Sequence, residues 1–233
     1  MAKKVNKTDE QLANVEGHLS KAGLYVVENS GKLIKLVGAI ILGFAIFFGY
    51  NTFFVEPNEK NASDEMYIAE FYFQNNEYDK ALNGYGQFSG FLYIANEYSS
   101  TEAGNIANYY AAICQMNLGS SLDSVQYFKN ALSSLNNFET DDKIISSLST
   151  GLKGDANMEL GNTNKAMSFY KSAATDNVNS FTTPYFMMKQ SKILELNKDF
   201  DSALEIYNTI KSDYPESKEG INIDKYITSA SNR

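Results

Sequence analysis

The strongest constraint on this chain is a run of 20 residues without a charge, LVGAIILGFAIFFGYNTFFV from Leu36 to Val55. As an α-helix it would be about 30 Å long, the thickness of a bilayer's hydrocarbon layer. Lipid offers no partner to backbone N–H and C=O groups, so a lone spanning segment must be a helix. A buried core helix is the competing reading, but no polar residue breaks the run before Asn51.

The flanking charges orient the segment. Lys3, Lys4, Lys7, Lys21, Lys32 and Lys35 precede it, and only Lys60 lies close behind it. The excess of lysine on the cytoplasmic side of membrane helices predicts a cytoplasmic tail (1–35), a transmembrane helix (36–55) and an exported domain (56–233). A cleaved signal peptide is the rival. The leading region and apolar run are both too long for one, and no A-x-A-like site follows. A lipoprotein would need a cysteine after the run, and the single cysteine is Cys114.

Small residues mark the apolar helix. Ala39/Gly43 and Ala45/Gly49 have the spacing that lets membrane helices approach closely, and Gly38, Ala45 and Gly49 share one stripe. Either a partner helix docks there or the residues reflect the ordinary abundance of Gly and Ala in such helices. In the tail, Thr8 and Gln11 have capping-box spacing and Leu12, Val15 and Leu19 follow on one face. The tail is expected to form a short amphipathic helix or to fray.

Charge divides the chain unevenly. Residues 1–35 carry a net +2, whereas residues 56–233 carry 14 Lys and Arg against 24 Asp and Glu, a net −10. So acidic a domain argues against nucleic acid as a partner.

An internal repeat organises the exported part. NEYDKALNGY supplies Tyr78, Ala81 and Tyr85, and GSSLDSVQYFKNA supplies Gly119, Ser124, Phe128 and Ala131. GNTNKAMSFYKSA supplies Gly161, Ala166, Tyr170 and Ala173, and KDFDSALEIYNTIKSDYP supplies Phe200, Ala203, Tyr207 and Pro215. Each has the turn and second helix of a tetratricopeptide unit, where small residues let two helices cross and aromatics fill the gap to the next unit. The spacings between the small residues at 81, 124, 166 and 203 are 43, 42 and 37, longer than the usual 34.

Start signals agree with this division. Ser63, the pair Ser99 and Glu102, Thr140 with Asp141 and Asp142, and Thr183-Pro184 are each expected to open a first helix. Ser217 is expected to open a terminal helix to Ala230 that caps the stack. Residues 86–100, with FLYIA, are the least regular connection and are read as an extra helical turn packed on the first unit, or else as a docking loop. The expectation is an all-α chain: a single N-terminal transmembrane helix, an α-solenoid of about four helix-turn-helix units and a C-terminal capping helix.

Catalytic chemistry finds no constellation. His18, the only histidine, lies in the tail, so the exported domain lacks the commonest general base. Cys114 sits among apolar neighbours in YYAAICQM and reads as a core residue. Asp141-Asp142 and Asp199/Asp201 lie at helix starts, where carboxylates favour the helix dipole. GLKGDANMELG lacks the spacing and lysine of a phosphate loop. No enzyme, metal or cofactor is expected.

What remains is surface. By repeat position the groove-facing candidates are Met66, Tyr67, Glu70 and Phe73, then Tyr109, Ile113 and Met116, then Asp155 and Met158, then Met188 and Lys192. Methionine adapts to varied shapes and aromatics supply contact area at low entropy cost, so an open groove of this kind suits extended apolar segments of other proteins. If the solenoid closes, the same residues are core. A clamp for terminal carboxylates needs several basic groove residues, and only Lys192 and Lys189 are offered.

The overall plan resembles the YfgM family, ancillary subunits of the bacterial Sec translocon. ENSGKLIKLVGAIILG, residues 28–43, is similar to that family's approach to its anchor. EYSSTEAGNIANYYAAI (97–113) and FTTPYFMMKQ (181–190) are similar to forms common in Bacteroidota relatives. The resemblance implies an inner-membrane protein with periplasmic repeats that partners the SecYEG translocon and a PpiD-type membrane-anchored chaperone. Residues 86–100 and the long repeats depart from the family's pattern. The expected function is an interaction module assisting export or hand-over of secreted proteins. A scaffold for cell division or outer-membrane biogenesis is the alternative.

Overall fold

The computed structural model describes Val26, residues 29–122 and residues 124–233. The amphipathic helix expected over residues 8–19, His18 and the first four lysines lie outside those residues. The chain divides into two compact units, Met1–Pro57 and Asn58–Arg233.

In the first unit, helix α1 (Ser30–Tyr50) passes into a π-helical turn, Asn51–Val55. No residue of either is buried, and large apolar side chains from Leu36 to Phe54 stand exposed. A soluble core helix would bury such a face. This segment is long and apolar enough to cross a membrane. Helix α2 (Glu56–Gln74) starts directly at the end of the π-helical turn, with Glu56 already helical at φ −58° and ψ −46°. Ser63 therefore lies inside a helix rather than opening one: no chain break precedes it for a cap to serve.

The second unit holds the rest of α2, then α3 (Tyr78–Asn83), α4 (Phe91–Glu97), α5 (Glu102–Leu122), α6 (Val125–Asn136), α7 (Lys143–Glu159), α8 (Thr163–Thr175), α9 (Thr182–Leu196) and α10 (Phe200–Asp213). A 3₁₀ turn (Gly220–Asn222) and α11 (Ile223–Ser231) follow. Among the described residues there is no strand, only an isolated bridge between Tyr85 and Phe88. The all-α solenoid of four helix-turn-helix units with a terminal helix is what the structure contains.

The four units share one turn. The N–H groups of Glu77, Ser124, Asn162 and Asp199 donate to the carbonyls of Tyr72, Gly119, Asn157 and Leu194, at 2.9, 3.0, 2.8 and 2.9 Å. In three of them the preceding residue is left-handed, Asn76 at φ 59°, Gly161 at 74° and Lys198 at 62°, and donates a second bond to the helix it leaves. This pair of bonds satisfies carbonyls that a helix end leaves orphaned.

The turn also sets the register of the second helices. Four residues past the turn donors stand Ala81, Phe128, Ala166 and Ala203. Ser124 is thus the N-cap of α6 and not the small residue on its face. The sequence pattern placed the second unit one helical turn early because a small residue four before an aromatic imitates the repeat. In this unit the sizes are exchanged: Gly119 replaces Tyr72, Asn157 and Leu194, and Phe128 replaces alanine. A Cβ on Gly119 would lie 2.7 Å from the Phe128 ring, so the ring uses the space that glycine leaves.

The first unit departs in another way. Its second helix stops at Asn83, and Gly84 (φ 87°) turns the chain into a short loop. At the base of that loop a Cβ on Gly90 would meet the Gly84 nitrogen at 2.3 Å, so the two backbones touch where only glycine fits. Tyr85, expected on the helix, is 59% exposed, and Phe91 at 0% fills the core in its place. The Phe91 ring stacks on Tyr110 at 5.0 Å, and Phe73 meets both edge-on. The extra helical element expected within 86–100 is α4, which buries Phe91, Ile94 and Ala95.

Helix starts differ in detail from the sequence signals. Asp142 caps α7, its Oδ1 accepting from the N–H groups of Ile144 and Ile145 at 2.8 Å each. Ser99 does not cap α5. The Thr101 hydroxyl oxygen accepts from Gly104 N–H at 2.9 Å, and the Glu59 carboxylate takes the N–H groups of Glu102 and Ala103 at 2.7 and 3.0 Å. At α9, Asn179 Oδ1 accepts from Phe181 and Thr182 N–H at 2.9 and 2.7 Å, leaving Thr183 and Pro184 inside the first turn. Ser217 Oγ accepts from Gly220 N–H at 2.9 Å, opening the 3₁₀ turn ahead of α11.

Candidate functional site

Three clefts of the second unit differ in charge. The first, about 300 Å³, lies between α2 and α5 and gathers Met66, Tyr67 and Glu70 with Glu59, Glu102 and Ile106. The second, about 470 Å³, lies among α4, α5 and α6 and is uncharged, with side chains such as Asn105, Asn108, Gln115 and Asn130. The third, about 380 Å³, runs between α9 and the C-terminal segment and brings Lys189, Lys192, Lys218 and Lys225 to one place with Tyr185, Met188, Tyr226 and one acid, Glu219. The clefts thus pass from acidic through neutral to basic along the chain.

The groove candidates do not form one continuous strip. Tyr67 is 71% exposed, whereas Met66 beside it is buried. Glu70 is half-buried. Phe73 belongs to the aromatic core with Tyr78, Phe91 and Tyr110. Tyr109 packs on the Phe138 ring at 5.0 Å, with Met116 against the same small core of Ala112, Ala131 and Leu135, and Ile113 is half-buried. Met158 packs against the core around Tyr170 and Phe186. Met188 is buried with Tyr207 and Ile210, and Lys192 is exposed.

Asp155 is committed within the fold. Its Oδ1 accepts from Tyr170 Oη at 2.6 Å and Lys189 Nζ at 2.5 Å. Burial, reinforced by that bond, holds the Tyr170 phenol protonated far above the ordinary tyrosine range. Lys189 also lies over the Tyr170 and Tyr185 rings, at 5.4 and 5.1 Å. This lysine therefore organises the wall of the third cleft, whereas Lys192, Lys218 and Lys225 face solvent.

Lys218 and Lys225 were absent from the sequence-derived groove because they lie past the last repeat, so the count of basic residues there was too low. Acidic residues alternate with them along the chain, so no basic run marks them. Tyr185, Phe181 and Leu148 also escaped. They line an apolar pocket of about 550 Å³ that shares Tyr185, Lys218 and Glu219 with the third cleft. A large apolar residue at the start of α9, Phe181 at 66% exposure, was the available signal.

Burial pushes the Cys114 thiol up to about 12, a setting opposite to that of a nucleophile. The Tyr98 phenol is likewise pushed up to about 12, first by its 2.8 Å hydrogen bond to Glu65 and then by burial. Among the described residues no group of three or more His, Cys, Asp or Glu could hold a metal ion.

The membrane-length helix offers a different surface. Gly38, Ala39, Gly43 and Ala45 are exposed and Gly49 partly so. A Cβ added at Gly38, Gly43 or Gly49 would meet no atom within 4 Å.

A tetratricopeptide repeat family model matches residues 185–217, the unit built of α9 and α10 together with the chain that follows it. No curated protein matches the chain. The match supports a tetratricopeptide unit at those residues. An all-helical array of such units is typically a non-enzymatic scaffold for protein–protein interaction, which points to proteins as its partners.

Proposed function

We propose that this chain is a membrane-anchored tetratricopeptide scaffold of the SecYEG translocon, which with a PpiD-type chaperone helps receive or hand over exported client proteins. In this reading residues 1–35 are cytoplasmic, the helix within 36–55 spans the inner membrane, and residues 56–233 stand in the periplasm. The observation that carries the proposal is the pairing of an apolar helix that buries none of its residues with a repeat domain of interaction type on one chain. The lysine asymmetry supports the topology. The open small-residue faces at Gly38, Ala45 and Gly49, and at Ala39 and Gly43, support a membrane partner, because close helix approach in lipid needs small side chains. Tyr67 and Lys192 are the most accessible of the proposed client-facing residues, whereas Glu70, Tyr109, Ile113, Met116 and Met158 are half-buried.

Affinity purification from membranes solubilised in a mild detergent tests the proposal. Recovery of the Sec channel with the chain is the expected result, and its consistent absence contradicts it. Recovery of cell-division or outer-membrane assembly proteins in its place would favour a scaffold of another envelope machine.

A further inference from the structure

We propose that the third cleft and the apolar pocket beside it together dock an acidic stretch of a partner protein that carries a large apolar residue next to its carboxylates. This rests on the reading of the domain as a protein-interaction scaffold but not on which machine it serves.

The charge distribution is the first argument. Residues 56–233 carry a net −10, yet four lysines line this cleft against one acid, Glu219, with a second, Glu216, in the adjoining pocket. Asp155 neutralises Lys189. Among the described residues, Lys192, Lys218 and Lys225 have no ion-pair partner, although Lys211 close by in sequence is paired with Asp224 at 2.7 Å. The Lys225 ammonium lies over the Tyr226 ring at 4.8 Å, but the three ammonium groups around one cleft still repel one another, and a ligand bearing several carboxylates relieves that repulsion. The lysines come from α9, the segment after α10, and α11, so one carboxylate would not engage them all as well as a short acidic run.

The adjoining pocket supplies the second argument. Leu148, Phe181 and Tyr185 line it, and its shared wall with the lysine cleft places apolar and cationic surface side by side. Acidic polymers without an apolar group would leave the pocket empty, and apolar peptides without acids would leave the lysines unmatched. An anionic bilayer is a poor occupant, because the domain's net charge repels it.

The test uses the full chain in nonionic detergent micelles and fluorescence anisotropy. The probe is a fluorescein-labelled, C-terminally amidated peptide with one leucine followed by four glutamates. Saturable binding is expected, weakened at least about tenfold in the Lys192→Glu, Lys218→Glu, Lys225→Glu triple variant and when NaCl rises from about 50 to about 300 mM. Phe181→Ala should weaken it about threefold or more through the apolar half of the site. All four side chains are exposed, so circular dichroism should show the variants folded. The same peptide with glutamines for glutamates should not compete. Equal binding by the triple variant, or no saturable binding, overturns the proposal. So does equal competition by the glutamine peptide, or by one ending in leucine with a free carboxylate and no acidic side chain. If the acidic peptide fails while the unaltered chain still co-purifies with the Sec channel, the site is lost and the scaffold reading stands.

Discussion

The first two helix-turn-helix units and the last two solve the same packing problem differently. In the last two, an alanine on the second helix lies in register with a larger residue at the turn, Ala166 with Asn157 and Ala203 with Leu194, and the aromatic comes a turn later as Tyr170 or Tyr207. In the second unit the sizes trade places as Gly119 and Phe128. In the first, a loop interrupts the helix and Phe91 takes over from Tyr85. What stays constant is the turn hydrogen bond. The unit's geometry is therefore set by backbone closure and by total side-chain volume, with some freedom in which helix supplies the volume.

The largest expected effect comes from breaking the exchange. Phe128→Ala should destabilise the full chain by about 3–5 kcal/mol in urea titration, since it leaves a cavity opposite a glycine. Adding Gly119→Leu should restore part of the loss, whereas Gly119→Leu alone should destabilise by overpacking. If the two losses simply add, the exchange is not a packing compensation.

Phe91→Ala and Tyr85→Ala form the next contrast. The first should cost about 3–5 kcal/mol, and the second should stay within about 0.5 kcal/mol, because only Phe91 is in the core. Similar values for both would return Tyr85 to the place that the repeat pattern assigned it.

A smaller effect tests the shared turn. Lys198→Gly should stabilise by about 0.5–1 kcal/mol, because a lysine held at positive φ bears a strain that glycine avoids. Gly161→Ala should destabilise by about 1 kcal/mol for the same reason. Thermal melts of the two variants shifting in the same direction would contradict a common left-handed turn.

Cys114 gives a contrast read as labelling rather than as a variant's stability. The fold favours the neutral thiol, so its contribution is complete below the ordinary thiol range and is lost as pH climbs toward about 12. Iodoacetamide at pH 8 should leave the native chain unlabelled and label it after unfolding in urea. Fast labelling of the native chain would place the thiol at a reactive surface.

Much of this was legible in the sequence because it depended on local signals. An uncharged run of 20 residues needs no tertiary information to be read as a membrane-length helix, and the turns at 161 and 198 lie where the repeat pattern puts them. The second unit's register was not legible: Ser124 and Phe128 reproduce the small-to-aromatic spacing one turn early, and only the turn bond at Gly119 distinguishes the two phases. The broken first helix carried a signal in Gly84, Gly86 and Gly90, but a pattern scored on Ala81 and Tyr85 passes over it. In the candidate site, Lys192 was found by repeat position, whereas Lys218 and Lys225 join it through docking of α11 against the last unit.

The central claim, a translocon scaffold held by its own membrane helix, is tested most directly by photo-crosslinking in living cells from a probe at position 45 or 49. The account predicts adducts with a membrane helix of the Sec channel or of a membrane-anchored chaperone. Adducts confined to proteins of a different envelope assembly would contradict it.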